Sequence, residues 1–216
     1  MPLQLQPLQL QPLQPSDIPS CIQIYFHSFQ NPHSLACWPR VPSVRQWWEE
    51  MFSREMASEP GSHWFKTVDL ASGEVVGFVK WQEPRWDGVE VEIGLPEWPA
   101  EADKRVCDET FGEWGRRRRE LMGGRGHWYL EIIATHPQYQ GRGAGSMMIN
   151  WGLERADQDN VEAYLEASPE AVSLYEKLGF ENVASADTWI QNDRVKGEWY
   201  RNLFMIRPAQ GRKVDT

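Results

Sequence analysis

The sequence predicts an α/β fold. Past residue 126, strand-like apolar runs alternate with helical patterns, and one strand enters its helix through closely spaced glycines within residues 138–146. The first half adds two helices followed by a hairpin, so helices and strands are mixed along the whole chain. With 216 residues and 41% hydrophobic content, one sizeable core can be buried, and nothing in the length calls for a second. The expected organisation is a single domain over residues 1–208 carrying an insertion at about 84–126, then a C-terminal tail at 209–216.

The opening LQLQPLQLQPLQP alternates leucine with glutamine and suits an edge strand interrupted by Pro7 and Pro12, its first residues being expected to be disordered. Ser16 or Asp17 then caps a helix with Pro19 in its first turn and Ile18, Ile22, Phe26 and Phe29 on one face. A second helix, capped near Ser43, spaces Val44, Trp47, Trp48, Met51 and Phe52 as a buried stripe. Two strand-like runs at 64–68 and 75–81 flank Asp69-Leu70-Ala71-Ser72-Gly73, which predicts an antiparallel hairpin. Pro84, Pro96 and Pro99 loosen the pattern before a charged helical stretch from about Ala102 to Leu121, closed by Gly123 and Gly124. This stretch is expected to lie over one rim. A regular succession follows: a strand at 128–133, the glycine-rich turn, a helix at 147–157, a strand at 161–167, another helix, and strands near Thr188 and at 200–206.

Composition narrows the classes of function. The formal charge of −9, from 22 basic and 31 acidic residues, disfavours nucleic acid and favours cationic or polar small partners. The run Arg116-Arg117-Arg118-Arg119 points around all sides of a helix and reads as a solvated face. Twelve tryptophans exceed what a chain of this length usually carries and suit a core or a pocket lining. Cys21, Cys37 and Cys107 are too far apart for a CxxC pair and odd in number, which suggests neither a disulfide framework nor a zinc knuckle. No long apolar run or signal-type N-terminus appears, so the expectation is a soluble cytoplasmic protein with no membrane partner, the nucleus and a homodimer being left open.

The chemistry is carried by Gln138-Tyr139-Gln140-Gly141-Arg142-Gly143-Ala144-Gly145-Ser146. A strand feeding a helix through such a turn aims backbone N–H groups at one point, and the helix dipole adds positive charge, so a phosphate or pyrophosphate is stabilised there. Nucleotide sites use similar turns. A nucleoside triphosphate loop, however, requires Gly-Lys-Ser/Thr, and Gly145-Ser146 has no such lysine. A dinucleotide fingerprint belongs early in a βαβ unit, whereas Gly141, Gly143 and Gly145 come late.

The segment Gln138-Tyr139-Gln140-Gly141-Arg142-Gly143 resembles the Gln/Arg-x-x-Gly-x-Gly/Ala signature of the GNAT superfamily of acetyl-CoA-dependent N-acetyltransferases. Downstream, Leu174-Tyr175-Glu176-Lys177-Leu178-Gly179-Phe180 resembles that family's second cofactor-side motif. The detailed likeness covers about residues 127–180; the earlier elements agree in order only.

The resemblance implies a GNAT-like acyl-CoA N-acyltransferase fold, an α/β (α+β mixed sheet) arrangement with a central twisted mixed sheet flanked by helices. It further implies that the strands at Trp128 and Val161 splay to admit the pantetheine arm of acetyl-CoA. Backbone groups of Ile132, Ile133 and Ala134 would pair with that arm, and Gln138, Gln140, Gly141, Arg142, Gly143, Ala144, Gly145 and Ser146 would hold the pyrophosphate. Ser168 stands where many relatives carry an asparagine against the arm. Tyr175 is implied as general acid to the departing thiolate. A base is needed to leave the acceptor amine neutral, and Glu131, ranked slightly above Glu166, is the candidate; His127 and His136 read as structural. No metal is expected. The implied reaction is direct attack of a primary amine of a small molecule or peptide on the thioester, through a tetrahedral intermediate, with a catalytically weak or inactive acyl-CoA-binding regulatory module as the alternative.

Overall fold

The computed structural model describes residues 7–85, 94–193 and 195–211. The expected disorder of the first residues therefore concerns positions outside the described residues, as do residues 86–93 of the 84–126 stretch and residues 212–216 of the tail. One open seven-stranded sheet has the order β1-β2-β3-β4-β5-β7-β6. Its strands are β1 Leu8–Pro12, β2 Ser62–Asp69, β3 Val75–Gln82, β4 His127–Thr135, β5 Glu162–Ala167, β6 Glu181–Asn192 and β7 Val195–Arg207. Every neighbouring pair is antiparallel except β4 and β5, which run parallel. The helices are α1 Ile18–Ser28, α2 Pro32–Cys37, α3 Pro42–Ser58, α4 Lys104–Met122, α5 Ala144–Asp159 and α6 Val172–Lys177. The fold is thus the mixed, helix-flanked sheet that the sequence predicts.

The proline-flanked opening repeat forms the edge strand β1, and the hairpin of β2 and β3 turns where Gly73, at φ 74°, follows the Asp69 side chain accepting from Ala71 N–H at 2.9 Å. Local caps differ from expectation. Asp17 holds the N-cap position of α1, but its carboxylate accepts from Gln14 N–H at 2.8 Å and from Lys66 Nζ at 2.7 Å. Ser43 lies inside α3 and donates to Glu101 at 2.8 Å, so the helix begins at Pro42 without a side-chain cap. The six-residue α2 was not expected; Asn31 caps it by accepting from Ser34 N–H at 2.8 Å.

Two layers of side chains cover the sheet. On one face Val79, Trp81, Trp128 and Leu130 pack beneath Met148, Ile149 and Leu153 of α5 and Tyr175 of α6. On the other, Phe78 and Trp64 meet Ile22, Val44, Trp48 and Phe52 of α1 and α3. Helix α4 joins that same layer through the buried Val106 and Cys107, while its Met122 packs on Tyr164, Phe204 and Ile206. Much of the tryptophan complement is core: Trp38, Trp48, Trp64, Trp81 and Trp128 are buried, and Trp38 stacks on Trp47 with centroids 5.2 Å apart. The three cysteines are free and buried. Among the described residues, no helix is long and apolar enough to cross a membrane.

His33 of α2 is a buried polar joint. Its Nε2 lies 3.0 Å from Thr110 Oγ1 of α4, and its ring stacks on Tyr200 of β7 at 4.9 Å. Burial lowers its pKa to about 4 from the ordinary 6.5. Between those values the unfolded chain binds a proton that the folded chain does not, so this contribution is complete above pH 6.5 and is lost as pH falls towards 4. Urea unfolding should therefore show stability falling over that window, and His33→Phe should make the fall shallower. An unchanged pH slope in the variant would exclude His33 as a cause.

Candidate active site

The site begins where a strand pairing stops. Strands β4 and β5 pair only from His127 with Glu162 to Leu130 with Leu165. At that point the register of β3 on β4 also slips: Trp81 faces Leu130 and Lys80 faces Ile132, leaving Glu131 as an extra residue. Such a bulge bends a strand and reverses which face its side chains take. Before it, Trp128 and Leu130 belong to the α5 layer; after it, Ile133 does, while Ile132 and Ala134 join the α1 and α3 layer. Strand β5 continues through Glu166 to Ala167 without pairing β4, so Ile132, Ile133 and Ala134 have no β5 partner. Beyond Leu130 and Leu165 the two strands are therefore unpaired and leave a gap between them.

At the mouth of this gap β4 passes into α5. His136 Nδ1 accepts from Gln138 N–H at 3.4 Å to start a 3-10 turn over Pro137–Tyr139, and Gln140 Nε2 donates to Thr135 O at 3.1 Å. Gly141 and Gly143 then take φ of 74° and 90°, a region that L side chains avoid. A Cβ on either would meet nothing within 4 Å, so backbone conformation rather than crowding demands glycine, and the space before the loop is free. Arg142 lies over the Tyr139 ring at 4.8 Å and 3.9 Å from the Asp69 carboxylate, while Tyr139 donates to Glu74 at 3.3 Å. Helix α5 starts at Ala144, three residues before the sequence reading puts it, and its first bond runs from Met147 N–H to Gly143 O at 3.0 Å. The N–H groups of Ala144, Gly145 and Ser146 therefore precede the helical ladder and are available to an anion, aided by the dipole.

Tyr175 reaches the same region from α6. It is 5% exposed in the layer containing Leu130, Leu165 and Ala167, its ring lies edge-on to Phe180 at 5.8 Å, and burial raises its phenol above the ordinary range. Neighbouring Leu174 approaches Gly145. Ser168 occupies the N-cap of the 3-10 turn Pro169–Ala171 but makes no side-chain cap bond.

The two candidate bases lie on the opposite face in contrasting surroundings. Glu131 accepts from Lys80 Nζ at 2.7 Å and from Gln82 Nε2 at 3.1 Å. Lys80 is 1% exposed and also meets Glu55 at 3.0 Å and Glu59 at 2.6 Å. Burial alone would discharge Lys80, but Glu131 and Glu55 outweigh it and hold the ammonium charged, while burial raises Glu55. Glu166 instead accepts from the Tyr129 hydroxyl at 2.9 Å. Burial pushes its carboxyl up to about 7, against the lowering influence of Arg118 and Tyr129. Beside it, the enclosed Tyr164 hydroxyl has no well-formed hydrogen bond.

Tyr129, Lys80 and Arg118 are the site residues that sequence reasoning missed. Tyr129 could have been found, because it alternates with Glu131 on one strand. Arg118 was hidden in the arginine run. Arg116 and Arg117 do form the expected outer face, paired with Glu113 and Glu120. Arg118, however, turns inward over the Tyr129 ring at 3.7 Å. Its Nε donates to His127 Nε2 at 3.1 Å, so His127 is neutral with its Nδ1–H donating to Arg125 O at 2.8 Å. Burial and Arg118 lower the His127 pKa to about 4. His127 and His136 are both engaged in hydrogen bonds within the fold. Among the described residues, no group of three or more His, Cys, Asp and Glu is placed to hold a metal.

The family model for the acetyltransferase (GNAT) family matches residues 18–180. The chain belongs to the GNAT family. Over 79 residues it is 35% identical to a thialysine N-epsilon-acetyltransferase from Sus scrofa and 34% identical to one from Mus musculus. That stretch is 35% of this chain and 46% of either relative, so the chain spans about half the length of the curated relatives it matches. A Corynebacterium glutamicum structure described as histone acetyltransferase HPA2 and related acetyltransferase shares the fold at TM-score 0.60 and 22% identity, covering 96% of this chain and 99% of that one. A phosphinothricin acetyltransferase from Sinorhizobium meliloti, solved with AcCoA, gives TM-score 0.58 at 17% identity, over 97% and 91% of the two chains.

The GNAT loop is held in place through α5. Trp81 Nε1 donates to Met148 O at 3.2 Å, and a Cβ on Gly152 would enter the Trp81 indole. Gly152→Ala should accordingly lower unfolding free energy by about 1–3 kcal/mol, read as a reduced urea midpoint. A midpoint equal to that of the unchanged protein would contradict this close packing of helix on sheet.

Proposed function

We propose that this chain is an acetyl-CoA-dependent N-acetyltransferase that moves the acetyl group to a primary amine of a small molecule or peptide. The observation that carries the reading is the β4–β5 gap opening directly beside the free N-terminus of α5. Membership of the GNAT family supports it. The free space before Gly141 and Gly143 and the leading N–H groups of Ala144, Gly145 and Ser146 fit a pyrophosphate. Gln138, Gln140 and Arg142 border that cradle, Ile132, Ile133 and Ala134 offer an unpaired strand edge to the pantetheine arm, and Ser168 flanks the arm at the end of β5. Three buried free cysteines suit a reducing compartment such as the cytoplasm.

Bound at this gap, the thioester supplies an activated acetyl group. On the acceptor face Glu166 takes the proton from the amine, freeing the nitrogen lone pair for attack. Glu166 suits this better than Glu131, because Glu131 is a counter-ion of Lys80 whereas Glu166, near 7, changes protonation at neutral pH. A backbone N–H in the gap polarises the acetyl oxygen, a term that often dominates acyl transfer. Tyr175, kept protonated by burial, gives its proton to the departing sulfur.

The deciding measurement is free thiol release with acetyl-CoA and an amine panel that includes polyamines, lysine and peptide N-termini. Release with at least one acceptor is expected; stabilisation by acetyl-CoA without release by any amine would indicate the binding module instead. Gly143→Trp should abolish acetyl-CoA binding, and binding at undiminished affinity would exclude the cradle. Tyr175→Phe should preserve binding and lower turnover roughly ten- to a thousandfold. Because Glu166 must be ionised to act, kcat/KM should rise with pH through about 7 and lose this limb in Glu166→Gln. The same profile in both proteins would exclude Glu166 as the base.

A further inference from the structure

We infer that Arg118 of α4 is a positioning residue that, together with Tyr129, sets the orientation and ionisation of Glu166. This rests on the reading of Glu166 as the proton acceptor, but the link itself stands on geometry. The guanidinium lies 3.7 Å from the Tyr129 ring centroid, within cation–π range. The Tyr129 hydroxyl donates to Glu166 Oε2 at 2.9 Å. Arg118 is in turn fixed by its Nε–H bond to His127 Nε2 at 3.1 Å. The chain Arg118, Tyr129, Glu166 thus runs from α4 across β4 to β5, and neutral His127 orients its first member.

The charged and titratable groups facing Glu166 can be named from each element. Strand β4 brings Tyr129 and Glu131, with Lys80 of β3 behind Glu131 as its counter-ion. Strand β5 brings Tyr164, and α4 brings Arg118. On the next strand, the register of β7 on β5 sets the apolar Phe204 opposite Glu166, and Asn202 bonds the end of β5 through Ala167 O at 3.5 Å. Burial and Glu131 favour the neutral carboxylic acid; Arg118 is the cation that opposes them. Without Arg118 the carboxyl remains protonated through neutral pH and takes no proton from an amine. The neighbouring Arg116 and Arg117 cannot replace it, because their guanidiniums are engaged with Glu113 and Glu120 on the outer side of the helix.

The titration needs no acceptor. In the full chain labelled with ¹³C at glutamate side-chain carboxyls, the Glu166 resonance is assigned by its loss in Glu166→Gln and titrated in the unchanged protein, Arg118→Gln, Arg118→Lys and Tyr129→Phe. Arg118→Gln should raise the midpoint by about one unit or more; Arg118→Lys, which keeps the charge, should recover most of that shift. Tyr129→Phe, which removes the donor to the carboxylate, should also raise it. A Glu166 midpoint unmoved in Arg118→Gln overturns the inference, and so does one raised as far by Arg118→Lys as by Arg118→Gln. Should Arg118→Gln not fold, Arg118→Lys and Tyr129→Phe decide alone: an unmoved midpoint in Tyr129→Phe overturns the inference. The acid limb of kcat/KM, measured with the best amine of the panel, separates the two readings. If the midpoint moves and the limb does not, the assignment of Glu166 as base fails while the hold of Arg118 on Glu166 stands.

Discussion

The structure turns on the extra residue at Glu131. A parallel pair is the one place in this sheet where the carboxyl ends of two adjacent strands lie side by side, and such ends are where α/β folds open crevices. The bulge at Glu131 keeps the pair from zipping beyond Leu130 and Leu165, although β5 runs on to Ala167. Because β4 then enters α5 and β5 enters α6, the free helix N-terminus and Tyr175 are both delivered to the same end of the gap. The proposed donor binding and acid catalysis would therefore both follow from one interrupted pairing.

The same bulge divides the electrostatics. Glu131 and Glu166 sit on adjacent strands and face the same side of the sheet, yet their surroundings differ. Glu131 shares a buried ammonium with Glu55 and Glu59, an arrangement in which loss of one partner would leave charge uncompensated. Glu166 has a phenol donor and one cation near it but little solvent, so its charged and neutral forms are close in free energy at neutral pH.

The donor side was legible in the sequence because it is built from contiguous residues. The strand, loop and helix from Trp128 to Asp157 carry their own periodicity, and Gly141 and Gly143 announce positive φ. The start of α5 was placed too late because Ala144, Gly145 and Ser146 give no apolar stripe, although Ala144 is buried. Helix α2 escaped for a related reason: its six residues span fewer than two turns, too short for a repeat. The roles of Ser43 and Asp17 were misread because their side chains bond to Glu101 and Lys66, partners distant in sequence. The bulge itself leaves no local trace, since it exists only in the register of β4 against β3.

The proposed acceptor side was illegible because its partners are distant in sequence. Its groups come from β3, β4, β5 and α4, and each finds its partner only once the sheet has formed. Arg118 shows this most plainly. Four consecutive arginines are equivalent in composition, and only the docking of α4 through Met122, Val106 and Cys107 selects the one whose guanidinium lands on Tyr129. The loop at 138–146 hangs on α5 and the opposite face of the sheet, where no apolar side chain of α4 is found among the described residues. A change at Arg118 would accordingly reach Glu166, the proposed base, through Tyr129 and leave the packing of α5 on the sheet intact.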